Sequence, residues 1–443
     1  MGGSVRPWCL LMHLPATDES FRLLSWARVR EFGVPPPMIE SATARRTAGD
    51  WAGACAAAHV DVDLDLRAIG RAHGRDLAAA IRADLRQLAP DLLRWHFPRA
   101  GPDLLLRPGI TLSLARYAVP SGDLCLVART PPAWASAGQR ISLAMWARSR
   151  PGDGAGRHPH PRPDPRFRLD LHRHLWDARR SGELAERTGK WPLDAVPEVP
   201  DGIESCAVDR WLPEAALLLR AEGRDRGQVA VRLTAKHRVL LRLGDPPDRP
   251  GHRPALLPDA ATWVPPDVEL LHAGLLGADR LHPLVAAALR PGGDPAGQAQ
   301  NPSGTTDSRL VDCRGVLHRI GVVDGVLVPL DHPPGEIRRE ELLAALSGDP
   351  LPCLRAIDDA HRHPENLADV RAQLGHGDAA GALATVESLL GPDVLLRSGA
   401  LRDELEAAAR GRIAHGLYRT GLAGYGPPRD TKIAKRRAAR PVR

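Results

Sequence analysis

The chain has 443 residues, 43% of them hydrophobic and 26% charged, an ordinary globular composition that is too long for a single hydrophobic core. No run approaches the roughly eighteen consecutive apolar residues of a membrane-spanning helix, so no membrane partner is expected. The net charge of +7 points to a polyanionic partner; six cysteines with no CxxC pair exclude a disulfide framework or zinc knuckle and indicate a reducing, cytoplasmic setting.

The charge is unevenly distributed. Residues 429–443 hold seven basic side chains and one Asp, so six of the seven net charges sit in the last fifteen residues and the preceding body is almost neutral. Lys432, Lys435, Arg436, Arg437, Arg440 and Arg443 are the candidate nucleic-acid contacts, since a short basic tail condenses onto phosphates without sequence preference. Only four of the 60 basic residues are lysine (Lys190, Lys236, Lys432 and Lys435), a uniform skew that reads as GC-rich codon usage and discounts arguments from arginine content elsewhere. Aromatic residues are scarce, which counts against a single-strand binder that needs stacking platforms.

Residues 1–37 read as an N-terminal arm; the short apolar patch Trp8–Leu14 is a weak signal-peptide candidate, and an over-extended gene start with Val34 or Met38 as the real beginning is the second reading. From Ile39 to about Leu88 apolar residues recur three and four apart, predicting helices, with Gly49 closing one and Asp50 capping the next. The period then changes to two. ITLSLARY (110–117), DLCLVART (123–130) and QRISLAMW (139–146) predict an antiparallel meander with one buried face. Residues 150–166 hold five prolines and read as a linker or exposed loop. FRLDLHRHLWDARRSGELAER then reads as a short extended piece entering a helix, and 228–243 as a strand pair. In 318–332, Asp324-Gly325 between two apolar runs predicts a type I′ hairpin, and beyond Pro334 the pattern is helical to about Gly421. One echo links the ends: GDWAGACAAA at Gly49–Ala58 and GDAAGALATV at Gly377–Val386, each reading as the turn and second helix of an α-hairpin.

Phosphate loops, GxSxG elbows, HExxH helices and EF-hand loops are missing from the sequence. The Asp-x-His-x-His of LDLHRHL resembles the first-strand metal signature of the amidohydrolase superfamily. That resemblance implies a catalytic metal held by His172 and His174, although the strand–helix alternation of such a barrel does not follow downstream. A second candidate metal cluster is Cys313, His318, Asp331 and His332, which a tight hairpin brings together at its open end. Asp331-His332, Asn366 and His376 occur in the order of an HNH nuclease, but helical residues between them and missing paired cysteines reject that reading. The scattered tryptophans read as core packing.

The sequence therefore predicts an α+β protein in which helical N- and C-terminal modules flank a central antiparallel β region with long Pro/Gly-rich loops. Its expected segments are 1–37, 38–149 (helical module and meander), 150–166 (linker), 167–332 (mixed, with hairpins), 333–426 (helical) and 427–443 (basic tail). The expected function is a non-enzymatic binding or adaptor protein that uses its helical modules for a protein partner, the tail adding non-specific nucleic-acid affinity. The alternative is a metal-dependent hydrolase built on the His/Cys/Asp clusters. The sequence names no cofactor.

Overall fold

The structure is a computed structural model that describes residues 16–120, 122–147, 158–188, 205–244, 253–289, 309–313, 316–323, 326–329, 335, 338–339, 367–390 and 399–422. The architecture is α+β. The chain forms two units: Met1–Pro291 with Ala372–Ala379 and Arg402–Arg443, and Gly292–Arg371 with Ala380–Leu401.

The larger unit opens with α1 (Ala16–Arg28), which runs into a π turn at Val29–Gly33, followed by α2 (Pro36–Thr47) and α3 (Trp51–Ala57). Pro36 and Pro37 suit the first helical positions of α2, where no backbone donor is needed. Gly49 takes φ 81°, its N–H bonding Arg46 O while the Asp50 N–H bonds Arg45 O, and the Asp50 side chain then accepts from Gly53 N to cap α3. The helical run expected to Leu88 is interrupted by β1 (Val60–Asp63), and this corrects the sequence reading. The alternation of Val60, Val62 and Leu64 with Asp61, Asp63 and Asp65 carried the signal, but four residues become a strand only through tertiary pairing. After it come α4 (Leu66–His73), α5 (Arg75–Gln87), α6 (Pro90–Trp95) and the small pair β2 (Arg99–Ala100) and β3 (Leu105–Leu106).

The expected meander is present as β4 (Thr111–Val119), β5 (Gly122–Arg129) and β6 (Ile141–Ala147), antiparallel, with β1 added parallel to β6. Its order is β1-β6-β5-β4. Helices pack on one face over Leu112, Leu114, Leu126, Ala128, Ile141 and Leu143. The other face is not solvated as expected, because Cys125, Val127 and Ala144 are buried there with Trp146 against them. The β4 edge is covered: Ser113 N bonds Phe167 O, Asp170 N bonds Ser113 O, and Asp164 N bonds Thr111 O. Residues 158–166 therefore belong to the folded body. His158 is buried and donates to Thr130 O, and Thr111 Oγ1 donates to His160 O.

Further along are α7 (Leu184–Arg187), α8 (Trp211–Ala221), the sheet strands β7 (Gly227–Arg232), β8 (Arg238–Leu243) and β9 (Ala255–Leu256), then α9 (Asp259–Thr262), α10 (Pro266–His272) and α11 (Pro283–Leu289). Sheet order is β8-β7-β9, with α8 packed on it through Trp211, Ala215, Leu218 and Leu219 against Val229 and Val231. The smaller unit contains β10 (Arg309–Cys313), β11 (Val316–Val323) and β12 (Val326–Pro329), all antiparallel. Val323 pairs with Val326, which leaves a two-residue link at Asp324-Gly325, outside the described residues. Strand β10 was absent from the sequence reading. C-terminal helices are α12 (Leu367–His376), α13 (Ala379–Leu390) and α14 (Ala400–Arg419). Gly377 repeats the Gly49 turn, with φ 91°, its N–H bonded to Leu374 O and the Asp378 N–H to Gln373 O. α14 rests on residues 134–137 by small and polar groups: Gly411 faces Ala137, His415 Nδ1 donates to Ala135 O, and Tyr418 meets Trp134 edge-on.

Candidate functional site

The candidate ligands His172 and His174 lie in a chain of tight turns, not at a strand end. Leu171 N bonds Arg168 O, His172 N bonds Leu169 O, and a 3₁₀ turn occupies Arg173–Leu175. Both imidazoles are buried, at 2% and 3% exposure, with rings 5.8 Å apart and tilted 65°. His172 Nδ1 donates to Arg168 O at 3.0 Å, and its Nε2 faces Glu214 Oε2 at 3.3 Å. The Nδ1–H is spent on the carbonyl, and Nε2 is directed at the carboxylate. Glu214, from α8, also receives Arg187 of α7 in a two-pronged bond of 2.5 and 2.6 Å. Burial alone would raise the Glu214 carboxyl, but hydrogen bonds from His172 and Arg187 bring it down to about 2. Burial, then the neighbouring His172 and Arg187, hold the His174 pKa well below its ordinary 6.5. Among the described residues no three His, Cys, Asp or Glu side chains form a group able to hold a metal. His172, Glu214 and Arg187 thus link α7, α8 and the turn segment, and the described residues bring no third metal ligand to the His172/His174 pair.

The second cluster is only partly described. Cys313 ends β10 opposite Val316, and His318 in β11 opposes Val311, which puts both residues on one face of the sheet as diagonal neighbours. Asp331 and His332 lie outside the described residues, as do the tail candidates Lys432, Lys435, Arg436, Arg437, Arg440 and Arg443. His376 is buried, its backbone oxygen accepting from Arg94 Nη2 at 3.1 Å.

The structure also assembles a buried polar network that sequence reasoning missed. Asp267 of α10 accepts from Trp95 Nε1 at 2.8 Å and His96 Nε2 at 3.0 Å; burial opposes ionisation there, but His96 and Trp95 hold its pKa below the ordinary value. His282 Nε2 donates to Asp91 at 2.8 Å. Arg30 stacks over Trp95 and donates to Arg280 O. These bonds tie α6, α10, α11 and the π turn together. Nothing in local periodicity announces them, since the hydrogen-bonded partners lie more than 170 residues apart.

The surface feature with unsatisfied chemistry is the hairpin of β7 and β8. The register is unbroken from Gly227↔Leu243 to Arg232↔Arg238. Val239, Leu241 and Leu243 share the inner face, where Leu241 and Leu243 pack on the α8 core; Arg238, Leu240 and Arg242 share the solvent face. Arg238 stands directly opposite Arg232, and Lys236 follows in the turn. Arg232 feels the charge of Asp259, whereas Lys236, Arg238 and Arg242 have no carboxylate partner among the described residues. Val239 is 36% and Leu240 46% exposed. The sequence carries the signal, six Arg/Lys against one Asp between Arg224 and Arg242, but the general arginine excess masks it.

Compared with protein-family models, with curated proteins and with solved structures, the chain matches none.

Proposed function

We propose that the protein is a non-enzymatic binding protein, an adaptor, whose contact surface is the β7–β8 hairpin. The single observation that carries this reading is the run of cations Lys236, Arg238 and Arg242, without a carboxylate partner among the described residues, beside exposed Leu240. Like charges opposed across a strand pair destabilise it unless a counter-charge arrives. A partner's carboxylates supply that counter-charge, and exposed aliphatic side chains supply the apolar area that holds it. By contrast, the described imidazoles offered for catalysis, His172 and His174, are enclosed. The basic tail adds non-specific affinity for nucleic acid in this reading.

The test is binding of a labelled oligoglutamate to the full chain, followed by fluorescence anisotropy at low salt. The triple variant Lys236→Glu/Arg238→Glu/Arg242→Glu is expected to weaken it by about tenfold or more. These side chains are exposed and Glu at 238 relieves the like-charge pair with Arg232, so thermal unfolding of the variant should not fall below the parent's. Unchanged affinity would remove the hairpin from the reading.

A further inference from the structure

We infer that the open edge of β8 takes up an extended segment of a partner protein with acidic, apolar and acidic residues at alternate positions, as an added β-strand. This rests on the hairpin being the contact surface.

The argument starts from backbone hydrogen bonds. Leu233 N donates to His237 O, making 233/237 a hydrogen-bonded pair of the hairpin. Antiparallel pairs alternate between bonded and non-bonded, so Val231/Val239 and Val229/Leu241 are bonded in turn. The N–H and C=O groups of Arg238, Leu240 and Arg242 therefore point away from β7, out of the sheet edge. No described residue bonds them, and β8 is terminal in the order β8-β7-β9. An open edge of this length is a template for strand addition.

The two edges of the four-stranded sheet in this unit are less suited to such use. β4 is covered by residues 164–170. β1 is four residues long, and its acidic Asp61 and Asp63 are bonded by Arg140 and Arg419. β8 has six residues, no proline and no bulge.

The same residues specify the occupant. Arg238, Leu240 and Arg242 share the solvent face, so the incoming strand lays acidic, apolar and acidic side chains beside them, in either strand direction because the pattern is symmetric. A second copy of β8 would instead bring two arginine pairs together, which repels self-pairing. A nucleic-acid phosphate backbone can accept from the free N–H groups but offers no donor to the outward C=O groups and nothing apolar to Leu240.

The experiment uses the full chain and a labelled peptide Ser-Glu-Thr-Val-Thr-Glu-Ser, measured by anisotropy. The expected result is saturable binding, absent for the peptide with Lys in place of both Glu, and weakened about tenfold or more by Arg238→Glu/Arg242→Glu. Two further peptides carry N-methyl groups on alternate backbone amides, one on the Glu and Val set, the other on the Thr set. Only one set faces β8, so one peptide keeps binding and the other loses it. If both methylated peptides bind like the parent, strand addition is wrong while the hairpin remains a contact surface. If a DNA duplex binds through the hairpin arginines and the peptide does not, the partner class is wrong. If sedimentation shows a dimer that Leu240→Glu dissolves, a second copy occupies the edge and the inference falls. If neither peptide nor oligoglutamate binds, the inference and the adaptor reading fall together.

Discussion

At the residue scale, the buried titratable groups set how the protein responds to acid. His158 and His376 are buried, and desolvation lowers them from 6.5 to about 4 and about 3. An imidazole depressed in the folded state binds its proton first in the unfolded chain, so its contribution is complete above pH 6.5 and is lost as pH falls from there toward the folded value. His158 donates through Nε2 to Thr130 O and accepts from His160 N at Nδ1, a neutral tautomer with both nitrogens used. His158→Gln retains the donor and removes the titration. The expected outcome is that the stability lost between pH 7.5 and 4.5, measured by urea unfolding, shrinks by about 2 kcal/mol. Glu214 acts in a lower window, its contribution present above 4.5 and lost as pH falls through about 2. None of this was legible in the sequence: a histidine's burial depends on what the chain folds over it, and His158 sits in a proline-rich stretch that reads as exposed.

At the element scale, the Gly-Asp junctions show what local sequence can and cannot specify. Both copies form the same helix-ending turn, with Gly at positive φ, so their backbone chemistry was readable from ten residues. Their surroundings differ. A Cβ on Gly49 meets nothing within 4 Å, whereas one on Gly377 would lie 2.5 Å from Gly138 O. Gly49→Ala is expected to cost about 1 kcal/mol, from the positive φ alone, and Gly377→Ala about 2–3 kcal/mol, since rigid backbone must also move. Paired denaturant titrations check this; equal losses would show that the Gly138 contact is relaxed without penalty. The meander was legible for a related reason: alternation over seven to nine residues is a strong local signal. β1 and β10 were not, because strands of four or five residues become regular only when a neighbour pairs with them.

At the scale of the whole molecule, the charge distribution has two centres, and the sequence located only one. The tail holds most of the net charge, but the hairpin holds cations presented on a rigid scaffold. The two should be separable by salt. Each cation that releases a counterion from a bound polyanion contributes to the slope of log affinity against log salt, roughly 0.7–0.9 per phosphate contact. Reversing Lys432, Lys435, Arg436 and Arg437 is expected to flatten the slope for duplex DNA and leave the oligoglutamate slope largely intact, and the hairpin triple variant should do the opposite. If the tail variant abolished both, the hairpin would carry no specific surface.

Sequence by itself determined the α+β class, the meander's strands, the helix-ending glycines and the position of the tail, because each depends on patterns within about ten residues. Tertiary structure decided everything that depends on distant partners. It placed His172 against Glu214 and His96 against Asp267. It covered the β4 edge and, among the described residues, left the β8 edge unpaired. Whether an imidazole is a ligand or a strut, and whether a strand edge is a seam or a binding surface, is set by what packs beside it, and that neighbour lies far along the chain.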